Sequence, residues 1–148
     1  MASKTKAGKP SSKNSQKSVI GTWNLISAED KDPNTGKWKK YTFGNPPSGY
    51  FIYDATGHAS IQIMTTPPVQ LANPTDGPTP DEALEIFNNY IAYYGTYTVD
   101  DTNITVRVQG AWDPTQVGTD QVRPYEVRGD TLIIGDQTTY IRTLKRFK

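Results

Sequence analysis

The amino-acid sequence predicts an all-β protein: an antiparallel β-barrel of about eight to nine strands with one α-helix on its outside. Nine short segments are rich in β-forming residues, and turn-forming clusters separate them at regular spacing. Only one segment, at about residues 80–93, has helical periodicity. The 148 residues are enough to bury the core of one domain. A barrel of about eight strands encloses room for one small ligand.

The predicted strands are bounded by Gly, Pro, Asn and Asp. They cover residues 19–28, 38–43, 50–53, 58–64, 96–99, 104–109, 117–127, 131–134 and 138–147. The turn Asp54-Ala55-Thr56-Gly57 predicts a hairpin, because its glycine can adopt the positive φ of a tight turn. The Pro-rich connection at residues 65–80 has no periodicity and is expected on the surface.

The predicted helix has a clear beginning. Thr79 is placed as the N-cap, Pro80 as the first helical residue, and Glu82 completes a capping box three residues after the cap. We expect an apolar stripe to lie on the barrel before Gly95 ends the helix. That stripe consists of Leu84, Phe87, Ile91 and Tyr94.

The charge of the chain is unevenly distributed. Residues 1–17 contain five lysines and no acid, which leaves eleven basic and fifteen acidic side chains, a net charge of −4, on the remainder. Because residues 1–17 have almost nothing to bury, they predict a disordered basic tail, and residues 18–148 form the barrel domain. The tail is either a solubilising extension or a basic arm for an anionic partner, and its spread lysines favour the extension.

The residue inventory excludes several kinds of chemistry. The chain has no cysteine, so disulfides and thiolate chemistry are absent. One histidine and carboxylates that cluster in turns predict no metal site, and we expect no cofactor. The apolar runs are too short for a membrane span or a secretory signal. We therefore expect a cytoplasmic monomer or homodimer whose partner is a small hydrophobic molecule, with no nucleic acid and no membrane.

His58 is the only histidine and thus the first candidate for a general acid or base. In an alternating strand His58 and Gln62 share one face, while Ile61 and Ile63 share the other. The isoleucine face either points into the barrel, with the polar face in water, or lies under the helix, with the polar face lining a pocket. Only the second arrangement makes His58 catalytic.

The segment 117–127 carries Gln121, Arg123 and Tyr125 on one face, which is either the polar wall of a cavity or a stripe in water. A buried guanidinium needs a carboxylate, an aromatic face or a ligand anion. Arg123 is therefore placed either beside the pocket or in a bridge to Glu126 or Asp120.

Tyrosine accounts for nine of the sixteen aromatic residues. Its apolar body and polar tip suit a pocket for an oxygenated apolar molecule. The candidate ligand-binding residues are Tyr50, Gln62, Tyr97, Arg107, Trp112, Gln121 and Arg123, and the candidate catalytic residues are His58 and Tyr125.

Four segments together resemble the small lipocalin-like domain family of bacteria and fungi. They are Gly21-Thr22-Trp23, residues 48–58, the tyrosine-rich residues 90–100, and residues 117–123. The resemblance runs from about residue 18 to 146 and implies a calycin-type barrel with a pocket. It also implies that Gly21 and Trp23 form the barrel floor, with Arg142 or Arg146 from the last strand covering the Trp23 ring.

The resemblance implies an accessory protein of natural-product (secondary) metabolism that binds a small, largely apolar, oxygenated molecule. The alternative is a cofactor-free isomerase, cyclase or dehydratase acting on a polyketide- or terpenoid-like substrate, with His58, Tyr50 or Tyr125 carrying the proton. A third class is an interaction protein with a filled barrel. Members of the family often place a histidine at residues 104–109, where this chain has none, so catalysis that needs a second histidine is not expected.

Overall fold

Nine antiparallel β-strands form the framework of the structure, a computed structural model that describes residues 12–148, with side chains from residue 16 onward. The strands are β1 (Gly21–Lys31), β2 (Trp38–Lys39), β3 (Ser48–Tyr53), β4 (His58–Met64), β5 (Tyr90–Val99), β6 (Asn103–Ala111), β7 (Asp120–Arg128), β8 (Thr131–Ile134) and β9 (Tyr140–Arg146). Two α-helices accompany them, α1 (Ser12–Val19) and α2 (Pro80–Asn88), together with a 3₁₀ turn at Pro114–Gln116.

Eight of the strands close into a barrel. Each strand from β3 to β8 pairs with the next, and β9 and β3 both pair with β1. The short β2 is an extra strand on the far end of β1, where Asp30 lies opposite Lys39. Closure leaves no free sheet edge in the barrel wall. The predicted all-β antiparallel barrel is therefore confirmed.

The barrel interior is lined by alternate residues of the strands. In β4 the apolar face, Ala59, Ile61 and Ile63, is buried, while His58 and Gln62 are exposed on the outer face. The first of the two arrangements considered for this strand is thus the one found. Residues of the other strands extend the same core, among them Leu25, Phe51, Tyr97, Val106, Leu132 and Leu144.

Helix α2 begins as predicted and ends earlier. The Thr79 hydroxyl accepts from the Glu82 amide at 3.2 Å, and the Glu82 carboxylate accepts from the Thr79 amide at 3.0 Å, so the capping box is confirmed. The helix stops at Asn88 instead of about residue 93, and β5 begins at Tyr90. The reason is long-range pairing: Tyr90 lies opposite Met64, and the following residues extend β5 along the whole of β4.

The apolar stripe of α2 does not lie on the barrel as expected. No residue of this helix is buried, and Leu84 is 59% exposed. Phe87 makes one aromatic contact, with its ring centroid 5.9 Å from that of Trp112 at the end of β6. Helix α2 is therefore a loosely attached surface element.

Three predicted strands are shorter in the structure, among them the one predicted at 138–147, which is β9, Tyr140–Arg146. The strand predicted at residues 38–43 is reduced to β2, and the one predicted at 117–127 begins only at Asp120. The 3₁₀ turn and the positive φ of Gly118, +81°, occupy the residues before Asp120 and are incompatible with extended pairing. Helix α1 includes residues 12–17, for which the sequence predicts a disordered tail. Residues 1–11 of the predicted tail lie outside the described residues.

Trp23 closes one end of the barrel. Its side chain is completely buried, and Nε1 donates to the Val19 carbonyl at 2.8 Å. The guanidinium of Arg146 lies 4.0 Å from the centroid of the Trp23 ring and donates to the carbonyls of Ser18 (2.8 Å) and Ile20. Arg146, not Arg142, is therefore the arginine of the floor, because the β1–β9 register places Arg146 opposite Trp23.

Gly21 allows this arrangement. Its φ is +142°, a conformation that side chains disfavour, and a Cβ here would lie 2.8 Å from Nη1 of Arg146. The glycine two residues before Trp23 thus makes room for the guanidinium that covers the ring.

Candidate ligand-binding site

A cavity of about 280 Å³ lies inside the barrel. It is lined by Phe51, Tyr53, Ile61, Ile63, Ile91, Tyr93, Arg123, Ile134, Tyr140 and Arg142. This volume is just below the range of about 300–1,000 Å³ that is usual for small-molecule sites. The barrel is therefore not completely filled by its own side chains.

The apolar wall follows from strand alternation. Phe51 and Tyr53 come from β3, Ile61 and Ile63 from β4, and Ile134 from β8, all at inward-facing positions. These five side chains are each at most 4% exposed. They form an apolar surface that suits the body of a small molecule.

Arg123 on β7 brings a positive charge to this wall. Its Nη2 donates to Oε1 of Gln121 at 2.8 Å, and its Nη1 donates to the Val122 carbonyl at 3.2 Å. Gln121 is held in turn by Thr119, whose hydroxyl accepts from its Nε2 at 2.9 Å. Among the residues that the structure describes, no carboxylate forms an ion pair with Arg123.

The two carboxylates considered as partners of Arg123 bind other arginines. Glu126 pairs with Arg128 at 2.7 Å, and Asp120 pairs with Arg107 at 3.4 Å. Of the two placements of Arg123 left open by the sequence, the structure has the one beside the cavity.

Arg142 also lines the cavity, but its charge is balanced. It donates to Oδ1 of Asp30 at 3.0 Å and to the Glu29 carbonyl at 3.1 Å. Its guanidinium lies 5.6 Å from the Phe43 ring centroid and 5.5 Å from that of Tyr140. Arg142 is thus part of the cavity wall, where it has a carboxylate partner and two aromatic neighbours, and it is not part of the barrel floor.

Three tyrosines give the cavity its hydroxyl groups. Burial raises the pKa of Tyr53 and of Tyr93, and it raises the pKa of Tyr140 as well, while the nearby charge of Arg123 opposes each shift. At neutral pH the three phenols are therefore neutral and can donate hydrogen bonds to an oxygen of a ligand.

Four of the predicted site residues lie on the outside of the barrel. His58 is exposed, and its Nδ1 lies 2.8 Å from the Thr56 hydroxyl. Tyr50 is 50% exposed and packs edge-on against Phe147. Gln62 and Arg107 point outward from β4 and β6. None of these four side chains lines the cavity, because each is at a strand position whose side chain points out of the barrel.

Four other predicted residues support the barrel. Nε1 of Trp112 donates to the Phe87 carbonyl at 3.1 Å and so attaches α2 to β6. The hydroxyls of Tyr97 and Tyr125 donate to the carbonyls of Asp54 (2.7 Å) and Asp100 (2.8 Å) and so brace two turns. Gln121 orients Arg123 from the side. Arg123 is the predicted ligand-binding residue that lines the cavity.

Sequence reasoning missed Tyr93 and Tyr140 as cavity residues. The sequence could have indicated Tyr140, since it lies on the same face of a predicted strand as Arg142 and Leu144. For Tyr93 the signal was hidden by the assignment of residues 80–93 to a helix, which removed the period-two pattern of β5.

The part of the chain with described side chains contains no group of three or more histidine and acidic residues arranged to hold a metal ion. Within the same part of the chain, no helix has the length and apolar character to cross a membrane. The sequence profile of a lipocalin-like domain matches residues 20–146, most of the chain. No curated protein matches the chain with significance.

Proposed function

The chain belongs to the lipocalin-like domain family, and on that premise we propose that it binds one small, largely apolar, oxygenated molecule inside the barrel. The observation that carries the proposal is the cavity of about 280 Å³, with an apolar wall and a few converging polar groups. Isoleucine and aromatic side chains suit the apolar body of the molecule. Tyr93, Tyr140 and Arg123 suit its oxygen atoms.

A cavity-filling substitution tests this proposal. Ile63→Phe adds volume to the cavity wall, so we expect it to weaken binding of phenylnaphthylamine, a neutral probe that fluoresces in apolar surroundings, by at least about tenfold. Ile52→Phe is the matched control, since Ile52 is 37% exposed on the outer face of the neighbouring strand β3. Equal affinity of both variants and the parent protein would place the probe elsewhere and contradict the proposal.

The natural ligand is best sought directly. Native mass spectrometry of protein purified from its own cells would reveal a retained molecule as added mass. Incubation of the released molecule with fresh protein then distinguishes carriage from chemistry, because a carrier returns it unchanged. We include in the proposal a role in natural-product metabolism, which the family resemblance supports. We also include a cytoplasmic location, with which the absence of cysteine agrees.

The alternative function is a cofactor-free isomerase, cyclase or dehydratase. Its support is that Tyr93, Tyr140 and Arg123 line one cavity, where phenols and a guanidinium can polarise an oxygen of a substrate. His58 does not serve this alternative from its exposed outer position. Rearrangement of the released molecule by fresh protein, lost in Tyr93→Phe and kept in His58→Ala, would favour the enzyme over the carrier.

A further inference from the structure

We infer that the ligand is a small apolar organic acid whose anionic group binds to Arg123. This inference rests on the proposed function and deepens it, since it names the chemical class of the molecule. It starts from the contrast between the two arginines of the cavity wall, Arg123 and Arg142.

The two arginines differ in whether a carboxylate balances the charge of the guanidinium. Arg142 has a carboxylate partner, Asp30, at 3.0 Å and two aromatic rings beside its guanidinium. Arg123 is half-buried, and it donates hydrogen bonds to the neutral oxygens of Gln121 and Val122. The cavity lining contains no aspartate or glutamate. With Asp30 offsetting Arg142, the wall retains about one uncompensated positive charge, at Arg123.

An uncompensated charge in such a place favours an anion over a neutral oxygen. A guanidinium removed from water is stabilised most by an anionic partner, and its planar fork fits the two oxygens of a carboxylate or sulfonate. Gln121 and Val122 use two of the five N–H groups of Arg123, so donors remain for a ligand.

The surrounding tyrosines complete the subsite. Tyr53, Tyr93 and Tyr140 line the same cavity as Arg123. The positive charge of Arg123 opposes the rise that burial causes in the pKa of each phenol. A neutral phenol can donate a hydrogen bond to an anion. The apolar body of the acid then lies against Phe51, Ile61 and other residues of the apolar wall.

Two related fluorescent probes test the inference on the full chain. Anilinonaphthalene sulfonate carries an anionic group, and phenylnaphthylamine is the same ring system without it. We expect Arg123→Gln to weaken binding of the sulfonate by about ten- to hundredfold, the range for hydrogen bonds to a charged group, and to change binding of the neutral probe by less than about twofold. Retained binding of the neutral probe also shows that the variant is folded with its cavity intact.

Arg107→Gln is the matched control. It removes the same charge from β6, but the Arg107 side chain is 59% exposed on the outer face and pairs with Asp120. We expect it to leave the affinity of both probes unchanged, which excludes a general charge effect. Equal losses of sulfonate binding in the two variants, or no loss in Arg123→Gln while the neutral probe binds, would overturn the anion subsite and leave the proposed function standing. Failure of both probes to bind the parent protein would overturn the proposed function and this inference with it.

Discussion

The most direct test of the structure is the replacement of Arg146 by methionine. Methionine keeps much of the aliphatic volume and removes the guanidinium that covers Trp23. Two hydrogen bonds from a charged donor, to the carbonyls of Ser18 and Ile20, are worth about 1.5–3 kcal/mol each, and the cation–π contact about 1–2 kcal/mol. Because the Arg146 side chain is 25% exposed, water restores part of the loss. We therefore expect the free energy of unfolding to fall by about 3 kcal/mol.

Urea denaturation measures this change. With a slope of about 2 kcal/mol per molar urea, a loss of ~3 kcal/mol lowers the midpoint by about 1.5 M at an unchanged slope. Arg128→Met is the control: Arg128 pairs with Glu126 at 2.7 Å but is 66% exposed, so its replacement should change the urea midpoint much less. If Arg146→Met lost no more stability than Arg128→Met, the assignment of Arg146 to the barrel floor would be refuted.

Two further predictions concern stability. Gly21→Ala should lower the thermal midpoint more than Gly57→Ala. Both glycines have positive φ, but of the two only the new Cβ at residue 21 would meet another side chain, Arg146, at 2.8 Å. Equal losses in the two variants would mean that backbone strain alone matters. The pKa of Asp136 is held well below its ordinary value of 3.8 by hydrogen bonds from the Thr139 hydroxyl and from the amides of Thr139 and Thr138. A depressed carboxyl pKa contributes stability above 3.8 that is lost as the pH falls through the folded-state pKa. The stability difference between the parent protein and Asp136→Asn, measured by urea midpoints, should therefore shrink as the pH is lowered from neutral to about 2. A constant difference would show that these hydrogen bonds do not depress the pKa of Asp136.

Local patterns were sufficient for several elements of the fold. The hairpin glycine at residue 57, the capping box of Thr79 and Glu82, and the alternation of β4 each depend on residues close together in the chain. Turn geometry, helix capping and the period of two are local properties, so a sequence reveals them without its partners.

The boundary between α2 and β5 shows where local patterns fail. Phe87 and Ile91 fit a helical stripe, while Ile91, Tyr93 and Tyr97 fit a strand, and both patterns occupy one stretch of sequence. Pairing with β4, from Met64 opposite Tyr90 onward, resolves the conflict in favour of the strand. That error concealed Tyr93, one of the polar residues of the cavity.

The sequence by itself determined the class of fold, the alternation of the strands and the presence of one aromatic ring suited to close the barrel, because these depend on spacing along the chain. Only the tertiary structure decided which face of β4 is inside, which arginine covers Trp23 and which arginine is left without a carboxylate. Arg142 and Arg146 lie on the same face of β9, and only the register of β9 on β1 decides which of them lies opposite Trp23. Register and closure arise from pairing between residues far apart in the chain, and such pairing is not encoded in any local period.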